Sequence, residues 1–190
     1  KRFASIDQIS KEKFLISAFI NLTNLIKSSR DLNEYLQSTL KDSVKAFKFQ
    51  RCSFLMLSDD KSQVKSRFVF NDMAEDDSTK IVFNISQSDN AISRVLNSKM
   101  PALINDYTHR QWRDLITKEL STFIHEGALA VIPVQIGKKP IGVICAQLFP
   151  NNNKTGKNNK TKRDISTDDF EQLCSLVEHL NMCLTMIMTR

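Results

Sequence analysis

Residues 127–149, GALAVIPVQIGKKPIGVICAQLF, constrain the fold more than any other part of the chain. Ala128, Ala130, Ile132, Val134 and Ile136 alternate with Leu129, Val131, Pro133 and Gln135, and a second β-branched run opens at Ile141 after Gly137, Lys138, Lys139 and Pro140. That pattern is a β-hairpin. Both strands are apolar at nearly every position, so neither face can be left to water. The economical arrangement is a central strand pair with helices, or a bound molecule, on each side.

The flanking sequence supplies the cover. From about Lys11 to Ser28, Leu15, Phe19, Leu22 and Ile26 recur at four, three and four residues, with Phe14, Ala18 and Leu25 widening the stripe. This is an amphipathic helix with a coiled-coil-like face. A second helix starts at Asp31, with Glu34 three residues on as in a capping box, and carries Leu32, Tyr35, Leu36, Leu40, Val44 and Phe47. Three strand-like runs follow at 51–58, 64–70 and 80–86, the first two joined by a turn at Asp59, Asp60, Lys61 and Ser62 that makes them antiparallel neighbours. Asp89 is placed to cap a short helix through Leu96, and residues 100–106 read as a brief strand. The last helix starts at Ser166, and Phe170, Leu173, Val177, Leu180, Leu184 and Ile187 form a strict heptad seam. Such a seam packs on its own sheet, on a second copy of the chain, or on both.

At 190 residues and 41% hydrophobic, the chain suffices for one domain, spanning 1–190, with no need of disulfides. It opens at Lys1 rather than methionine and reads as a segment excised from a longer protein. No apolar run reaches the roughly 18 residues of a membrane span, so no membrane partner is expected. The net charge of +6 is concentrated in a flexible loop at 151–163, where Lys154, Lys157, Lys160, Lys162 and Arg163 meet no acid. Without aromatic or apolar anchors that run reads as a solvated loop rather than a nucleic-acid contact, with a partner contact as the alternative. Cys52, Cys145, Cys174 and Cys183 form no CxxC pair, which is reduced, cytoplasmic usage, and Cys52 and Cys145 read as small buried hydrophobes rather than redox groups.

The order of elements makes an α+β sandwich. Four stretches in that order, RCSFLMLSDD, SDNAISRVLNSKMPALINDY, GALAVIPVQIGKKPIGVICAQ and ISTDDFEQLCSLVEHLNMCL, resemble a GAF domain over roughly residues 14–188. Among these, the first two strands and the hairpin are most similar to GAF domains attached to HDOD domains of bacterial signalling proteins. The resemblance implies a PAS-related central antiparallel sheet of five to six strands with N- and C-terminal helices. The N-terminal helix spans about 11–28, the core about 31–150 and the last helix about 167–188.

The resemblance also implies a function: sensing a small molecule, dimerising through the terminal helices, and controlling an attached output domain. The stretch from Asp106 to Gly127 takes the place of a pocket lid. Ser53, Phe68, Ala91 and Ile92 match the family's pocket positions, and Tyr107, Trp112 and His125 lie in or beside the lid. The alternative reading is that Phe68, Ala91, Ile92 and Trp112 are simply core. Leu15, Phe19, Leu22, Ile26, Leu173, Val177, Leu180, Leu184 and Ile187 are the implied dimer contacts. CAQLF stands where cyclic-nucleotide-binding members carry an Asn-Lys-Phe-Asp-Glu set, with only Asp168, Asp169 and Phe170 as an echo. The lid has no cysteine for a bilin. No cofactor or metal is implied.

No GxSxG, HExxH or P-loop is present, and His109 and His125, which a lid could bring together with Asp106 or Asp114, read as solvated or singly hydrogen-bonded. A reductase of oxidised methionine would need cysteines in the lid loops. The chain is therefore expected not to be an enzyme. The alternative to a sensor is a ligand-free dimerisation scaffold, whose pocket would be filled by Phe54, Met56, Phe68, Phe83 and Trp112.

Overall fold

The hairpin forms from β5 (Ala128–Ile136) and β6 (Lys139–Leu148), joined by a two-residue loop in which Gly137 takes φ 60°. A side chain at that φ is strained, so glycine stands at the first loop position. The computed structural model describes residues 2–71, 81–86, 89–124, 127–152 and 160–189. Within them β1 (Arg51–Leu57), β2 (Gln63–Asn71), β3 (Val82–Asn84) and β4 (Ala102–Ile104) complete an antiparallel sheet in the order β3, β2, β1, β6, β5, β4. The hairpin therefore occupies the interior of the sheet. Strand β6 also lies close against β1: a Cβ on Gly142 would lie 2.2 Å from the Leu55 carbonyl oxygen and 2.8 Å from the Phe54 ring.

Among the described residues six helices pack around this sheet: α1 (Arg2–Ser28), α2 (Leu32–Phe47), α3 (Ala91–Ser98), α4 (Arg110–Arg113), α5 (Lys118–Ile124) and α6 (Thr167–Met188). The first is longer than its apolar stripe indicates. Asp31 caps α2 by accepting from the Asn33 N–H, and Ser166 caps α6 by accepting from the Asp169 N–H. At α3 the cap is Asn90 rather than Asp89, in a reciprocal pair of bonds with Ser93. Asn90 leads because Ser93, three residues on, returns the second bond to its backbone. Beyond the sheet, β7 (Asn151–Asn152) pairs with β8 (Lys160–Thr161), and the rest of the basic stretch between them lies outside the described residues.

Side chains alternate across the sheet into two cores. One face carries Cys52, Phe54, Ala130, Ile132, Ile144 and Ala146 against α1, α2 and α6. The other carries Leu55, Val69, Leu129, Val131, Val143 and Cys145 against α3, β4 and the lid stretch. The double cover demanded by the hairpin is thus met by protein on both sides.

The heptad seam of α6 turns inward. Leu173, Val177, Leu180 and Leu184 are wholly buried, and Ile187 nearly so, within the helix-side core. Leu15 and Leu22 of α1 are buried in the same core, with Phe19 and Ile26 packed against it. Seven of these nine positions are buried inside the chain and have little surface left for a second copy, while Phe19 and Ile26 are half-buried. Each fully buried side chain of this size contributes about 1.5–3 kcal/mol, and no residue of the seam is free to give that up.

Helices α1 and α6 run parallel. Lys11 bonds Asp168 (3.1 Å) and Asp169 near the start of α6, while Thr23 meets His179 at 3.2 Å and Phe19 lies 5.2 Å from the His179 ring. The free edge of β5 beyond β4 is closed by α6: Asn181 accepts from the Gln135 N–H at 2.9 Å and donates to the Pro133 carbonyl at 3.4 Å. Thr185 accepts from the Gly137 N–H at 2.8 Å. Pro133, which has no N–H to offer, sits where the strand lacks a ladder partner on that side.

Candidate functional site

On the lid-side face of the sheet the polar groups cluster at one end. Ser53 pairs with Val69 on β2 and with Cys145 on β6, so its side chain shares the face that those two residues line. It is completely buried, and its hydroxyl has no hydrogen-bond partner among the described residues. A buried hydroxyl left unpaired costs about 1–3 kcal/mol, which makes it an anomaly within an otherwise apolar surface.

Two residues before it, Arg51 pairs with Gln147 on the same face. The Arg51 Nε donates to the Gln147 Oε1 at 2.7 Å, and its Nη2 donates to the Phe123 carbonyl oxygen at 2.9 Å. The Gln147 amide donates to that same carbonyl at 2.8 Å. The guanidinium lies 4.7 Å from the Phe123 ring centre and 5.0 Å from that of Phe149. Phe123 belongs to the last turn of α5, so sheet and lid are joined through the exposed carbonyl end of a helix. Burial lowers the Arg51 pKa.

Of the positions expected from sequence, Ala91 and Ile92 are wholly buried in the lid-side core, and Tyr107 and Trp112 are partly buried against it. Phe68 does not join them. It stands opposite Phe54 and packs in the helix-side core, leaving Val69 to face the lid. The pairing of β1 with β2 passes from Phe68 to Ser66 and skips Arg67, and that one-residue bulge reverses which face each residue takes. His125 lies outside the described residues. Of the side chains expected to fill a pocket, Phe83 and Trp112 are on the lid side, whereas Phe54 and Phe68 face the helices and Met56 is largely exposed.

Arg51 and Gln147 are absent from the sequence-based expectation. The available signal was their type: a charged residue and an amide in two strands that are otherwise apolar, at the same parity as Ser53.

The groups considered for chemistry are otherwise engaged. Asp106 accepts from the Thr108 N–H at 3.0 Å and its hydroxyl at 2.6 Å, which lowers its pKa. His109 caps α4. Burial pushes the Cys145 thiol up to about 12 and raises that of Cys52 further, so both stay protonated at neutral pH. Among the described residues no cluster of three or more His, Cys, Asp or Glu is placed to hold a metal. An open groove of about 410 Å³ between α1, the end of α2 and the start of α6 is lined by Asp7, Lys11, Lys48, Asp168 and Asp169. Its charges already pair with one another, Lys48 with Asp7 and Lys11 with the two aspartates.

Comparison with known proteins places this geometry. The family model described as "GAF domain" matches residues 31–161, more than half of the chain. The chain belongs to the GAF domain family. No curated protein matches it. Among solved structures, this GAF domain is similar to that of an Acinetobacter phosphoenolpyruvate-protein phosphotransferase, at 15% identity and TM-score 0.62, covering 92% of this chain and 94% of that one. It is similar to the GAF domain of a two-component sensor histidine kinase from Bacillus halodurans, at 20% identity and TM-score 0.57, covering 85% and 98%. It is also similar to the free methionine-R-sulfoxide reductase of Neisseria meningitidis in complex with its substrate, at 12% identity and TM-score 0.64, covering 92% and 90%. At these identities the likeness is one of fold. GAF domains are regulatory sensor modules of signalling proteins, and this chain shares that class. No helix among its described residues is long and apolar enough to cross a membrane.

Proposed function

We propose that this GAF domain is a sensor that binds a small molecule between the lid and the sheet and passes the event through α6 to an attached output domain. One observation carries the reading. Strand β5 presents Leu129 and Val131 to the lid side, and the same strand is bonded at its edge to Asn181 and, through Gly137 of the loop, to Thr185 of α6. A ligand that shifts β5 has a direct hydrogen-bonded route to the last helix. Regulation requires only that the ligand bind two arrangements of that helix with different affinity. The protonated, buried Cys52 and Cys145 favour a non-catalytic role.

We place homodimerisation on a different face of α1 from the one read from sequence. Ile6, Ile9, Ile16 and Ile20 recur at three, seven and four residues and are 50–63% exposed. This outward heptad stripe is broken only at Lys13, and Met182 and Met186 of α6 are exposed as well. Helices with such a repeat interdigitate with their own kind. The alternative of a ligand-free scaffold draws support from the dense lid-side core, in which Leu55, Ile92, Leu120 and Leu129 are wholly buried.

Native mass spectrometry of protein purified without added ligand tests both halves. A dimer carrying a discrete extra mass supports the sensor; a bare dimer supports the scaffold; a monomer overturns the assignment of the isoleucine stripe.

A further inference from the structure

We propose that the ligand is a small organic carboxylate and that Arg51 recognises its charge, with Ser53 binding a second polar group of the same molecule. This rests on the sensor reading above. Arg51 is only 8% exposed, yet neither of its hydrogen-bond acceptors is an anion: one is the Gln147 amide and the other the Phe123 carbonyl. Among the described residues no carboxylate pairs with it. A cation withdrawn from water without a counter-charge is costly, and an arriving anion would remove that cost.

The donor geometry fits the same class. A guanidinium has five N–H groups, and the two bonds made by Nε and Nη2 leave both N–H groups of Nη1 and one of Nη2 unused. Two adjacent donors of a planar fork match the two oxygens of a carboxylate. The fork is already held in place, by Gln147 at one side and by the Phe123 and Phe149 rings.

Ser53 lies two residues along the same strand, about 6–7 Å away, with its hydroxyl buried and unpartnered among the described residues. A carboxylate bearing a hydroxyl, keto or amino group a few bonds from its acid end reaches both. Val69 and Cys145 flank Ser53 on the neighbouring strands, with Val131 beyond Cys145, and this apolar surface suits an apolar body on the ligand.

The test is a thermal-shift titration of the whole chain against a panel of short hydroxy, keto, amino and dicarboxylic acids, each beside its uncharged amide. At least one acid is expected to raise the Tm where its amide does not. Arg51→Lys, which keeps the charge and loses the fork, should weaken that acid's apparent Kd by about tenfold or more, and Ser53→Ala should weaken it several-fold. If Arg51→Lys does not fold, the comparison of acid with amide and the Ser53→Ala titration still decide the matter. Equal shifts from acid and amide, or an acid whose affinity neither variant changes, would overturn the carboxylate assignment and leave the sensor reading standing. No shift from any acid or amide, together with no retained mass in the native spectrum, would overturn both.

Discussion

Replacing Leu180 by alanine separates an internal seam from an intermolecular one. Leu180 is wholly buried in the core that α6 shares with α1, α2 and the sheet. Truncation at such a site loses the transfer energy of the removed carbons and leaves a cavity, at a cost of about 2–5 kcal/mol. For a domain of this size each kcal/mol lowers the Tm by roughly 2–4 °C, so the expected drop is roughly 4–20 °C. The subunit count should not change, because Leu180 offers no surface to a partner. Thermal or urea denaturation, followed by circular dichroism, reads the first quantity, and light scattering after size exclusion reads the second. A variant with the Tm of the parent and a halved mass would refute the inward seam. The complementary pair Ile16→Glu and Ile20→Glu should do the reverse, abolishing self-association with a Tm change of only a few degrees, since exposed positions contribute little to the monomer.

Three further outcomes follow from single contacts. Gly142→Ala should destabilise the domain severely or prevent folding, because the new methyl would overlap the Leu55 carbonyl and the Phe54 ring; soluble yield and Tm check this. Asn181→Leu should cost about 1–3 kcal/mol by orphaning the Gln135 N–H and the Pro133 carbonyl, and amide exchange at Gln135 should accelerate. Asp60, held down to about 2 by bonds from Ser58 and Ser62 against an ordinary value of 3.8, stabilises the turn above pH 3.8 and loses that contribution as pH falls through about 2; carboxyl NMR titration should find it ionised at pH 3.

The chain's own order of residues determined the α+β class, the antiparallel hairpin at the centre, the caps at Asp31 and Ser166, and the presence of two terminal amphipathic helices. These are local properties: a period of two or 3.6 residues, a cap two or three residues before its partner, and a glycine where φ is positive are all written along a few consecutive positions. Which surface each stripe meets is not local. The heptad of α6 has the same spacing whether it packs inward or on a second chain, and only the closure of α1, α2 and the sheet around Leu173, Val177, Leu180 and Leu184 decided for the interior. The bulge at Arg67 turned Phe68 away from the lid, since one unpaired residue reverses the facing of the strand relative to its neighbour. The pairing of β1 with β6 also brought Arg51 beside Gln147, 96 positions away, and both onto the carbonyl of Phe123. A charge buried without a counter-charge among the described residues is a property of the assembled environment, so Arg51 became visible only when the chain had closed over it.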